Sequence, residues 1–174
     1  MSTYTLIQSQ TLASSAASVT FSAIPATYTD LVLKASARSD AAGTDDGITI
    51  VLNSDTSSNY SQTWISGSGS AAATNRSSSA AKFGAAGWIM IDTSGNTTNT
   101  FSNTEFYIPS YTVAQSKPMS FDTRLENNST LAYITTTAGL WSNTATISTI
   151  LLALASGGNY VTGSSFYLYG ISNA

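Results

Sequence analysis

The 174-residue chain contains no histidine and no cysteine, and only 9% of it is charged. Each absence removes a class of chemistry. Without imidazole there is no side chain that ordinarily titrates near neutrality, and so no histidine general base or metal ligand. Without thiol there is no cysteine nucleophile, no zinc–cysteine site and no disulfide, and the redox compartment is left undetermined. The six cations Lys34, Arg38, Arg76, Lys82, Lys117 and Arg124 are scattered. A nucleic-acid binder needs clustered cations to displace counterions from phosphates, so nucleic acid is not an expected partner. The longest apolar run, Ile150–Ala155, is strand-sized, and no membrane partner is expected. The opening MSTYTLIQSQ lacks the basic segment and long apolar core of a secretory signal, which points to a soluble product made in the cytoplasm.

What is present is nearly a third serine and threonine, with 42% hydrophobic residues, nine tyrosines and three tryptophans. A chain of this length buries roughly 70% of its unfolded surface, enough for one core, and residues 1–174 read as a single domain. Short β-branched or aromatic runs alternate with Ser, Thr, Asn, Asp and Gly clusters. Strands are expected near Thr3–Gln10, Ser18–Ser22, Leu31–Ser39, Ile48–Leu52, Tyr60–Ser66, Trp88–Ile91, Thr104–Pro109, Met119–Leu125, Leu131–Ala138, Ile147–Ala153 and Ser165–Ile171. Leu31, Leu33, Ala35 and Ala37 share one face of their run, as do Ile48, Ile50 and Leu52 of theirs. Phe166 and Leu168 oppose Tyr167, Tyr169 and Ile171, so the last strand is expected to meet the core on one side and a partner on the other. About ten strands with no helical period describe an all-β, antiparallel sandwich or barrel. Ser66–Ala81 is low-complexity and reads as an exposed loop, and Ala41–Asp46 as a shorter one.

Two carboxylates would suffice for glycoside hydrolysis without histidine. The nine acids are Asp30, Asp40, Asp45, Asp46, Asp55, Asp92, Glu105, Asp122 and Glu126. Spacing singles out no pair, and most lie in turns or at strand ends, where carboxylates bond backbone amides. Asp40, Asp45 and Asp46 could offer oxygens to calcium, but their spacing matches no EF-hand loop. The Asn-x-Ser/Thr triplets at Asn59, Asn75, Asn96 and Asn128 are expected by chance in such a composition, and Gly67-Ser68-Gly69 opens no helix that could cradle phosphate. No catalytic, metal or cofactor site is expected. Trp64, Trp88 and Trp141 could stack on sugar rings, but core or subunit interface is the favoured place for them.

Several segments carry a family resemblance: Thr3-Tyr4-Thr5-Leu6-Ile7; Ala17–Ser22 with Ile24-Pro25 and Tyr28–Leu33; Asn59-Tyr60-Ser61; Tyr107-Ile108-Pro109 with Tyr111; Gly139-Leu140-Trp141-Ser142; and Phe166–Ile171. Together they resemble small β-rich virion structural proteins of tailed bacteriophages, particularly those of aquatic bacteria and cyanobacteria. The resemblance implies a jelly-roll-like sandwich and a place on the particle, as a capsid decoration (cement) protein or a tail fibre or appendage component. It carries over no catalytic residues. A fibre subunit usually needs a coiled-coil shaft or repetitive stem, and none is present, so decoration is the first expectation. The expected partners are further copies of the chain, as a cyclic trimer, and the major capsid protein or other virion proteins. Candidate interface residues are Tyr4, Leu6, Trp64, Trp88, Trp141, Tyr167 and Tyr169, with Met1–Gln10 expected to add to a neighbour's sheet edge. The alternative is a carbohydrate-binding module that recognises a host surface polysaccharide.

Overall fold

The computed structural model describes residues 3–85, 89–128 and 131–172. Among them are twelve strands and no helix: β1 (Thr3–Thr11), β2 (Ser18–Phe21), β3 (Asp30–Ala37), β4 (Asp46–Leu52), β5 (Tyr60–Gly67), β6 (Ala72–Ala80), β7 (Met90–Ile91), β8 (Ser102–Ile108), β9 (Lys117–Leu125), β10 (Tyr133–Trp141), β11 (Ile150–Leu154) and β12 (Ser165–Ser172). They form two antiparallel sheets. One has eight strands in the order β1-β12-β3-β8-β9-β10-β5-β6, and the other has four in the order β2-β11-β4-β7. The expected all-β sandwich is therefore present, with its strands divided unequally.

Period-two patterning builds the core. Leu31, Leu33, Phe106, Ile108, Met119, Phe121, Phe166 and Leu168 of the wide sheet face Phe21, Ile48, Ile50, Leu52, Ile150 and Leu152 of the narrow one. A void between the layers, among Leu33, Ile50, Phe106 and Phe121, measures only about 10 Å³, too small for any ligand. Edge-to-face contacts run from Tyr60 to Phe83 (4.9 Å), Phe83 to Phe121 (5.1 Å) and Phe121 to Phe106 (5.4 Å). Gly139 makes this chain of rings possible, since a Cβ there would stand 2.9 Å from both Phe83 and Phe121.

One expectation fails here and a second is narrowed. Ser66–Ala81 is not a loop throughout, because Ala72–Ala80 is β6, paired with β5 from Tyr60↔Ala80 to Gly67↔Ala72. Its small polar residues are exposed along almost the whole strand, so no buried face imposes an alternation that the sequence could display. The second concerns the N-terminal segment. Thr3–Thr11 is not a loose segment: it pairs with β12 of its own chain from Thr3↔Ser172 to Thr11↔Ser165, which leaves only its outer edge for a neighbour.

β1 and β6 are the two edges of the wide sheet, and both are guarded. β1 bulges between Leu6 and Gln8, which puts Tyr4 and Leu6 on the outer face and turns Gln8 and Gln10 inward. Those glutamines donate across to the narrow-sheet side, at Ser22 O (2.6 Å) and Thr20 O (2.8 Å). β6 carries an irregularity opposite Tyr60/Gln62, with Ser79 at a φ of 54°. Its Asn75 side chain accepts from the Arg76 amide at 2.7 Å.

Candidate functional site

The carboxylates are the first candidates, and each of the nine has a partner. Asp46 is buried and accepts from Ser39 Oγ (2.7 Å), Ser156 Oγ (2.6 Å) and the amides of Gly47 (2.8 Å) and Ser156 (3.2 Å). Asp40 accepts from the Asn159 amide and side chain, both at 2.8 Å, and these bonds hold it below the usual carboxylate range. Asp45 accepts from Thr44 Oγ1, at 3.3 Å. The three loop acids therefore serve separate contacts. Among the described residues no group of three or more acidic, histidine or cysteine side chains could hold a metal ion.

Asp92 is fully buried and collects Asn127 Nδ2 (2.7 Å), Asn96 Nδ2 (2.8 Å) and Ser102 Oγ (3.3 Å). Asn96, one of the glycosylation triplets, is thus consumed inside the fold. Next to it the buried Arg38 donates to the carbonyls of Asn96 (3.2 Å), Thr97 (2.8 Å) and Thr100 (2.8 Å), so one guanidinium organises the loop of residues 93–101. Asp30 accepts from Tyr107 Oη (3.0 Å) and the Ser110 amide (2.8 Å).

On the outer face of the wide sheet Glu105 and Asp122 are directly opposed across β8 and β9. They form a carboxylate pair by register, but Glu105 is bonded to Lys34 at 2.9 Å and Asp122 accepts from Thr136 Oγ1. Glu126, the other glutamate, lies four residues beyond Asp122, about 13 Å along an extended strand. Glycosidase pairs need separations of roughly 5 to 9.5 Å around an enclosed bond.

Of the tryptophans, expected in the core or at an interface, two take the core. Trp64 and Trp141 are buried on the inner side of β5 and β10, so neither is on the surface to meet a partner or a sugar. Trp141 Nε1 donates to Asp55 and its ring stacks on Tyr60 at 6.4 Å. Trp88 lies outside the described residues.

The other four candidates do come together. Register aligns Leu6, Tyr169, Val32 and Tyr107 in one row across β1, β12, β3 and β8. Tyr4 stands beside Ile171 in the next row and meets the Tyr169 ring edge-on at 6.3 Å. Tyr167 continues the face into the Lys34–Glu105 row. Val32 and Ile171 are buried although they point away from the core, while Tyr4 is 61% and Leu6 50% exposed. The outer face thus carries a tyrosine-rich apolar corner. Tyr107 belongs to it and was not among the candidate interface residues, although its alternation with Phe106 and Ile108 marks it as outward-facing.

The opposite corner is also apolar. Ile65 and Ile134 are 57% and 60% exposed. A groove of about 230 Å³ runs on one side of Ile134, past Tyr133, Arg124 and Glu126, and a second of about 300 Å³ on the other side, past Ile65 and Ala72. No protein-family model matches the sequence, and no curated protein and no solved structure matches the chain.

Proposed function

We propose that this chain is a non-enzymatic structural protein of a tailed-bacteriophage virion, a jelly-roll-like capsid decoration protein that binds the outside of the head and associates with its own copies. The observation that carries an assembly role is the tyrosine-rich corner. A sheet face that normally meets water here buries Val32 and Ile171 beneath Tyr4, Tyr107 and Tyr169. Tyrosine supplies large contact area at low side-chain entropy cost and is enriched at protein interfaces. The carboxylates support the same reading, since each is engaged with neighbours instead of converging on a cleft. The sequence resemblance supplies the virion context, and many copies on one shell let modest contacts act at high effective concentration.

The experiment is copy number in purified particles, measured by quantitative mass spectrometry against the major capsid protein. A ratio of the order of the shell subunits supports decoration. A handful of copies per particle moves the chain to the tail or fibre, and its absence from particles overturns the virion reading. A carbohydrate-binding role has one observation in its favour, the groove lined by Tyr133, Arg124 and Glu126. Calorimetric titration with host polysaccharide tests it. Saturable heat lost in a Tyr133→Ala variant would favour sugar over shell.

A further inference from the structure

The two apolar corners lie diagonally across one outer face, separated by the polar row Lys34–Glu105–Asp122–Thr136. They differ in shape. The β1 corner protrudes through Tyr4 and Leu6, whereas the β6 corner is grooved on both sides of Ile134. We propose that copies of this chain associate head to tail, with the Tyr4/Leu6 corner of one copy seated in the grooves around Ile134 of the next. The proposal rests on the reading of the chain as an assembling protein and names the contact by which it does so.

Three observations select a second copy as the occupant. The first is charge. The protruding corner is flanked by Lys34 and Glu105, which are bonded to each other at 2.9 Å while both remain about half exposed. The grooved corner is flanked by Arg124 and Glu126. Among the described residues Arg124 donates no side-chain hydrogen bond and forms no ion pair, and Glu126 accepts only from the Asn128 amide at 3.0 Å. Each corner thus carries one cation and one carboxylate, so a second copy can be seated with Lys34 against Glu126 and Glu105 against Arg124 and no like charges opposed.

The second is edge protection. The bulge before Gln8 and the Gln8 and Gln10 bonds guard β1, and the irregularity at Ser79 with the Asn75 cap guards β6. Extension of the sheet from copy to copy is thereby disfavoured, which leaves the faces for association. The third is extent. The protruding corner covers four strands and about three rows, roughly 19 by 14 Å. That is well below the about 800 Å² that each partner contributes to a standard interface. One junction is therefore weak, and a chain using both corners engages two neighbours at once. Made in one direction from copy to copy, the contact generates rings, or filaments if it does not close, whereas a twofold pair that makes it in both directions stops at two copies.

The cysteine-free sequence makes the test direct. L6C and I134C variants of the full chain, and the double variant L6C/I134C, are oxidised in dilute solution and run on non-reducing gels. V113C, on an exposed apolar side chain elsewhere, serves as the collision control, and circular dichroism checks that each variant is folded. The expected result is a disulfide-linked dimer when L6C and I134C are mixed, severalfold above either variant alone, and covalent species larger than a dimer from the double variant. Self-linking of L6C equal to the mixture, or a double variant that stops at dimers, would make the contact symmetric and overturn the proposal. So would cross-linking no better than V113C. The readout needs no particles. A chain that forms this contact yet never copurifies with virions keeps the self-association and loses the virion role, and the reverse outcome separates the two equally.

Discussion

Trp141 donates its indole Nε1–H to Asp55 Oδ2 at 2.8 Å, tying the end of β10 to the turn between β4 and β5. The same carboxylate accepts from Asn59 Nδ2 (2.9 Å), the Ser57 amide (2.9 Å) and Asn143 Nδ2 (3.3 Å). Tyr60 Oη closes the turn by donating to Asp55 O at 2.8 Å and accepting from the Leu52 amide at 3.0 Å. Asp55→Ala removes a charged acceptor from several donors at once. It should lower unfolding free energy by about 2–3 kcal/mol, since single bonds to charged groups are worth about 1.5–3 kcal/mol. Urea titration followed by tryptophan fluorescence measures the loss.

The pH profile follows from the same turn. The Asn59 amide, together with Ser57 N and Trp141 Nε1, holds the Asp55 carboxyl well below the usual carboxylate range, against an opposing effect of burial. A depressed folded pKa gives stability that is present above the unfolded value, about 3.9, and is lost as pH falls through the folded one. Burial pushes Tyr60 up to about 12 from an ordinary 10.0. Its contribution is full below pH 10.0 and is lost as pH rises toward about 12. With no histidine or cysteine to titrate between these limits, melting temperature should be flat from about pH 5 to 9 and fall on both sides. Asp55→Asn should flatten the acid limb alone. Thermal melts across that range check both statements.

Gly139→Ala should overpack the core. The added methyl would meet the Phe83 and Phe121 rings at 2.9 Å, and both rings are buried. A cost of about 1–3 kcal/mol is expected, read as a lowered denaturation midpoint with an unchanged m-value.

Arg38→Met should release the loop that the guanidinium gathers through Asn96, Thr97 and Thr100. Amide exchange across residues 96–100 should accelerate more than exchange in β9 or β10. A global loss of about 1–3 kcal/mol should accompany it. Uniform acceleration across all strands would refute the local role.

Glu105→Gln should cost less than about 1 kcal/mol, because the Lys34–Glu105 pair is half exposed and screened. Its effect should shrink further in 1 M salt, as followed by thermal melts at two ionic strengths.

The strands with one buried face were legible. In β3, β8, β9 and β12 alternate residues go to the core, and the hydrophobic pattern reports this directly. β6 was not legible, because its residues answer only to backbone pairing with β5. The parity of β5 was ambiguous as well. Gln62, Trp64 and Ser66 face inward while Ile65 faces out, so hydrophobicity alone gives no consistent side. Of the expected interface residues, Tyr4, Leu6, Tyr167 and Tyr169 share one outer corner. Trp64 and Trp141 belong to the interior, and size and aromaticity could not distinguish the two fates.

By itself the sequence determined the chemistry that is out of reach and the all-β class. Both depend on composition and short-range alternation, which are local properties. The tertiary structure alone decided which aromatics meet water. A single extra residue in β1 reverses the facing of everything after it, placing Tyr4 and Leu6 outside and Gln8 and Gln10 against the other sheet. That shift is set by pairing with β12, more than 150 residues away along the chain. The exposed corner it creates is a product of long-range register, which no local pattern encodes.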